Sequence, residues 1–108
     1  MLIVTTDTIP GKKITKVLGY VSQSTVRSKH LGKDISSASK SLVGGELEDM
    51  TKMQDESRQI AVGRTAERAK ELGANAIVGL RLTSSNIMST ASEIIAYGTA
   101  VYVEDIEE

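Results

Sequence analysis

Two alternating stretches flank one long helical stretch, and that arrangement constrains the fold more than any other feature. From Lys12 to Arg27, Ile14, Leu18, Tyr20 and Val26 share one parity, while Val17 and Val21 share the other. Period-two alternation rich in β-branched residues marks a strand. From Glu46 to Leu72 the spacing changes. Leu47, Met50, Met53, Ile60 and Ala61 begin an apolar stripe around Ser57, and Ala66, Ala69 and Leu72 continue it. Alternation then returns in Ala76–Thr83 and in Glu93–Val103. Leu2–Thr5 adds a short strand at the start, and Pro10-Gly11 punctuates the turn that follows it.

Local signals fix the ends of these elements. Glu46, Glu48 and Asp49 sit in the first turn of the long helix, where carboxylates complement the positive end of its dipole. Gly73 suits the left-handed residue that closes a helix. Gly19, inside the long strand, predicts a bulge or a close backbone approach. Asp34 suits the N-cap of a short helix over Ile35–Leu42, ended by Gly44-Gly45. The small polar stretch Ser84–Ser92 reads as a loop or hairpin tip, and the tail 104–108 as a frayed acidic end. The expected fold is α+β: a two-layer α/β sandwich with a mainly antiparallel sheet, one long and one short helix, and the order β-β-α-α-β-β. With 108 residues the chain suits one domain, taken as 1–103, and buries enough surface for a single core.

Composition removes several function classes. With 0 Cys there is no disulfide framework and no thiolate metal site. No signal peptide or membrane span is visible, so a cytoplasmic protein is expected. The three tyrosines, with 0 Trp and 0 Phe, are too few for a base-stacking platform. Charge is uneven. Residues 11–40 hold seven basic side chains against Asp34 alone, whereas residues 41–108 hold six basic and twelve acidic ones. The basic residues are spread along the chain without a dense cluster, which favours attraction between halves or copies over nucleic-acid binding.

Several segments together resemble the YbjQ-like family. They are Thr5–Gly11, Gly32-Lys33-Asp34-Ile35, the pair Gly44-Gly45, the run Leu72–Gly79 and the ending Tyr97-Gly98-Thr99-Ala100-Val101. The resemblance runs from residue 1 to about 103. It implies a two-layer α/β unit that assembles into a ring, a pentamer, in proteins of uncharacterised function catalogued as "putative heavy-metal-binding". The chain departs from that pattern at Met50, where an aromatic is common, and at Thr65, where a larger apolar residue is usual.

The chemistry of candidate sites is sparse. Soft metals prefer sulfur and borderline ones imidazole. The chain has one His, His30, between Lys29 and Lys33, which would repel a cation. No metal-ligand residues are assigned, and no cofactor is implied. A metal reading would need carboxylates shared across subunits, such as Glu46 with Asp49. Gly44-Gly45 before a helix could cradle a phosphate, but the acids of the first turn would repel it. No nucleophile-elbow or phosphate-loop motif occurs, so no catalytic residues are assigned and catalysis is the least supported reading. If a small ligand binds, Arg27, Asp34 and Glu46 are the candidate contacts, because they flank the exit of the long strand and the Gly-Gly turn. The structural alternative is that Asp34 caps a helix, Glu46 complements the dipole and Arg27 pairs with one of them. A ring-forming homo-oligomeric binding or interaction protein is the leading expectation.

Overall fold

The computed structural model describes residues 1–28, 45–88 and 91–107. These form strands β1 (Leu2–Ile3) and β2 (Lys12–Ser28), helix α1 (Gly45–Glu71), and strands β3 (Ala76–Met88) and β4 (Ala91–Asp105). The sheet order is β1-β3-β4-β2. β4 lies antiparallel between β2 and β3, while β1 runs parallel to β3, so the sheet is mixed rather than wholly antiparallel. The α+β class stands. One helix lies among the described residues, and the expected short helix at 35–42 falls outside them.

One face of the sheet carries α1. Ser57, Ala61, Thr65 and Ala69, each four residues from the next, are buried against it. The sheet answers with small residues of its own, Ala96 and Ala100, and with Val21, Ile77 and Leu80. Small side chains on both sides bring the helix close to the sheet. The buried hydroxyls are satisfied locally: Ser57 Oγ donates to the Met53 carbonyl at 3.0 Å and Thr65 Oγ1 to the Ala61 carbonyl at 2.8 Å. Such bonds one turn back let a polar side chain sit on a core face without an orphaned hydroxyl. Thr65 is therefore a fully buried contact. Ile60, expected in the stripe, is exposed instead.

The opposite face has a second, smaller core. Val78, Val101 and Val103 pack there with Ile9, under cover from Val4 and Ile14. The chain between β1 and β2 thus acts as the lid of this end. Its backbone extends the parallel pairing beyond β1, with Val4 N–H donating to Ile77 O at 2.9 Å and Gly79 N–H to Thr6 O at 2.9 Å.

Three glycine and asparagine positions set the geometry. Gly73 has φ +92° directly after the helix. The Ala74 N–H donates to Ala69 O at 3.0 Å and the Gly73 N–H to Lys70 O at 2.9 Å, the paired bonds of a Schellman ending. Asn75 then exchanges two hydrogen bonds with Val103, Nδ2 to the carbonyl at 2.9 Å and Oδ1 from the N–H at 2.8 Å, which ties the start of β3 to the end of β4. Gly79, at φ +65°, lies in a register shift between Val78 and Arg81.

That shift corrects the simple alternation read from sequence. Leu80 joins Ile77 against the helix instead of following Val78 to the other face, because the inserted residue reverses the parity. The bulge expected at Gly19 is present, between Val17 and Gly19 at φ +119°. Two further boundaries change. The polar stretch after Thr83 is strand as far as Met88, since antiparallel pairing with β4 supplies what its Ser and Asn residues lack in intrinsic preference. Glu104 and Asp105 belong to β4 rather than to a frayed tail, opposite Lys13 and Lys12.

Candidate functional site

The long strands outrun the core. Cα atoms spread over 61 × 24 × 16 Å, with a radius of gyration of 17.8 Å against roughly 13 Å for a compact chain of this length. The far halves of β3 and β4 project beneath the first turns of α1. Between them lies a cleft of about 370 Å³. Met50 and Met53 from the helix, and Leu82 and Ile94 from the strands, form its apolar walls. Ser84, Asn86 and Ser92 give it a hydroxyl- and amide-bearing floor. They share one sheet face because Leu82 pairs with Ala96, Ser84 with Ile94 and Asn86 with Ser92.

The electrostatics of the cleft are simple. Among the described residues its lining contains no carboxylate, imidazole or thiol, and the charged side chain in it is Arg58, which is ion-paired with Asp55 on the same helix. The arrangement suits a small neutral or anionic molecule that offers an apolar flank and hydrogen-bonding groups. Two thioethers alone are a poor set for a resident heavy metal, which wants thiolate or imidazole partners. Among the described residues no group of three or more His, Cys, Asp or Glu side chains is gathered.

Of the three sequence-predicted contacts, Arg27 lies on β2 opposite Ser92 and Glu46 lies in the opening turn of α1. Asp34 and His30 fall outside the described residues. The grouping of Arg27, Asp34 and Glu46 therefore rests on sequence alone. The cleft itself was missed in sequence. Met50 and Met53 fit a core stripe, but both are only half-buried. The clue lay in 84–88 and Ser92, whose pairing into strand carries Leu82 and Ile94 out under the helix.

Among the described residues nothing packs over the other face of the projecting sheet. By register, Tyr20, Ser22, Ser24 and Val26 of β2 lie across from Thr99, Tyr97, Ile95 and Glu93 of β4, and these from Arg81, Thr83 and Ser85 of β3. Tyr20 is 83% exposed, Val17 68% and Val26 56%. No helix among the described residues is long and apolar enough to cross a membrane.

A model of the YbjQ family, described as "Putative heavy-metal-binding", matches residues 1–104. A UPF0145 protein of Clostridium perfringens is 57% identical over 105 residues, which is 97% of this chain and 99% of that one. A UPF0145 protein of Fervidobacterium nodosum is 51% identical over 108 residues and all of both chains. A crystal structure from Pediococcus pentosaceus, of a DUF74-family protein with unknown function, superposes with a TM-score of 0.61 at 18% identity. It covers 96% of this chain and 98% of that one, and the likeness concerns the fold. The match to the family model over almost the whole length, joined to relatives above half identity, places this chain in the YbjQ family.

Proposed function

We propose that the protein is a ring-forming homo-oligomer that serves as a binding or interaction module, with the cleft beneath α1 as its seat for a small ligand. The observation that carries this reading is the bare sheet face. Val17, Tyr20 and Val26 stand largely in solvent on β2, with Tyr97 and Ile95 near them on β4 among polar Ser22, Ser24, Thr99 and Glu93, and exposed large apolar side chains on one sheet face support an interface there. Charge supports it. The basic early segment and the acidic later part can meet head to tail between copies, and a heterologous contact of that type closes rings. The number five follows the family resemblance. Arg27, Asp34 and Glu46, grouped on sequence alone, are proposed as further ligand contacts. The chemistry of the described residues gives a heavy-metal role less support, since it would need carboxylates from several subunits.

Sedimentation equilibrium on the untagged protein at several concentrations tests the assembly. A closed oligomer, a fixed multiple of 11.6 kDa, is expected. A mass near 11.6 kDa throughout refutes it, and a dimer refutes the ring.

A further inference from the structure

The cleft beneath α1 is a wedge. At its closed end Ser57, with 2% of its surface exposed, stands one turn from Ala61, and there small side chains hold helix and sheet together. Towards the start of the helix the row changes to Met53 and Met50, both half-buried, and the sheet answers with Leu82 and Ile94. Side chains three apart share a helix face, so the two thioethers form one wall and the strands the other. A gap that opens between a helix and a sheet is wider along them than across, which suits a flat molecule. Its volume of about 370 Å³ lies near the lower end of the range that holds a whole small organic ligand, roughly 300–1,000 Å³.

The polar groups disfavour a charged guest. Among the described residues, Gln54, Ser84, Asn86 and Ser92 make no side-chain hydrogen bond to the protein. Hydroxyls and carboxamides both donate and accept, so they match a ligand edge that carries donors and acceptors together. An anion finds only Arg58, already paired with Asp55. It also approaches a stretch of α1, residues 45–58, that holds five acidic residues against Lys52 and Arg58. A cation meets no carboxylate in the lining among the described residues. The walls add a preference of their own, because thioether sulfur makes favourable contacts with aromatic rings at about 5 Å, often at the ring edge.

We infer that the cleft takes a neutral, flat heteroaromatic molecule of nucleobase or nucleoside size. The inference rests on the cleft being a ligand seat, as proposed above, and names its guest. The ring lies between the Met50–Met53 wall and the Leu82–Ile94 wall, and its edge bonds to Asn86 and Ser84. A carboxamide meets an adjacent donor and acceptor at once, as it does on adenine. Arg58 stays with Asp55 at the rim.

Methionine methyl resonances read this directly. The chain has 4 Met, so methyl-labelled methionine gives a few signals that stay readable in a large oligomer. Met50→Leu and Met53→Leu assign two of them and keep the apolar wall. Adenosine, guanosine, cytidine and uridine are the neutral probes. Benzoate is the flat anion, and glucose the neutral molecule without an aromatic ring. At least one nucleoside is expected to move the Met50 and Met53 methyls saturably, through the ring-current field of an adjacent ring, and to leave Met1 in place. Asn86→Ala should weaken that nucleoside about tenfold or more, since it removes the edge contact. Arg58→Gln should weaken it less than about threefold, as loss of an exposed ion pair does. Circular dichroism checks that both variants are folded. Unchanged affinity in a folded Asn86→Ala protein overturns the inference. Binding of benzoate or glucose in place of every nucleoside also overturns it but leaves the cleft as a ligand seat, and benzoate would then lose its hold in Arg58→Gln. No shift of either methyl with any probe overturns both.

Discussion

Gly73 and Gly98 are both small for a reason, and the reasons differ. Gly73 needs its positive φ to close α1, so Gly73→Ala should lower stability by about 1 kcal/mol while leaving contacts intact. Gly98 needs space. A Cβ there would lie 2.8 Å from Ile77 Cγ2, 3.1 Å from Val78 O and 3.3 Å from Leu80 Cα, and two of those are backbone atoms at the Gly79 bulge. Gly98→Ala is expected to cost more, about 1–3 kcal/mol, as overpacking does. Thermal melts of the two variants side by side check the order. A smaller loss for Gly98→Ala would contradict it. The first glycine was legible in sequence because it follows a helical stripe. The second was not, because its neighbour in space depends on a register shift that no local pattern announces. Asp105 illustrates the same limit. It reads as tail, yet it accepts from Lys12 Nζ at 2.5 Å, and that hydrogen bond and charge hold its carboxyl below the ordinary aspartate value. The pair therefore stabilises the fold fully above the ordinary range and loses its contribution as pH falls through the lowered value. The gap in melting temperature between the protein and Asp105→Asn should be small at neutral pH, close on acidification, and shrink in salt. A gap that widens in acid would refute the assignment.

At the scale of elements, the helix and its sheet meet through alanines, and this explains which patterns were readable. Ser57, Ala61, Thr65 and Ala69 are the buried row, whereas the larger Ile60 is exposed. A search for big apolar residues finds the helix but places its inner face slightly wrong. Ala61→Leu should expose the consequence. Ala61 is fully buried against a sheet surface that includes Ala96 and Ala100, so the crowding of three added heavy atoms must lift α1. The expected loss is about 1–3 kcal/mol, with unchanged helix content by circular dichroism. An undiminished midpoint in urea would show that the contact is looser than described. The strands were legible over Lys12–Arg27 and Glu93–Val103, where β-branched residues alternate, and illegible over 84–88, where partners rather than propensity make the strand. Thr25 belongs to the same interface, with a buried Oγ1 that has no partner among the described residues. Nothing in the alternation distinguishes it from half-buried Ser24 and exposed Val26.

For the whole molecule, the family description and the chemistry of the described residues point in different directions. Calorimetric titration of tag-free protein with zinc, copper and cadmium should find no submicromolar site. A tight site abolished by His30→Ala would overturn that expectation. Assembly offers the sharper test. The bare face and the charge asymmetry make separate demands on it, and a single variant distinguishes them. Tyr20 projects from β2 with 83% of its surface exposed, across from Thr99 and one strand step from Tyr97. If apolar contact on this face holds the copies together, Tyr20→Asp puts a desolvated carboxylate into it and should shift sedimentation equilibrium towards the single chain at every salt concentration. If charge attraction dominates, the unaltered protein should dissociate as salt rises, because exposed ionic contacts are screened over about 8–10 Å near physiological ionic strength. The exposed Tyr20 and the lack of charge along Val17–Val26 favour the first pattern as the stronger one. Assembly that ignores Tyr20→Asp yet collapses in salt would assign the ring to its charges and leave the tyrosine face free for another partner.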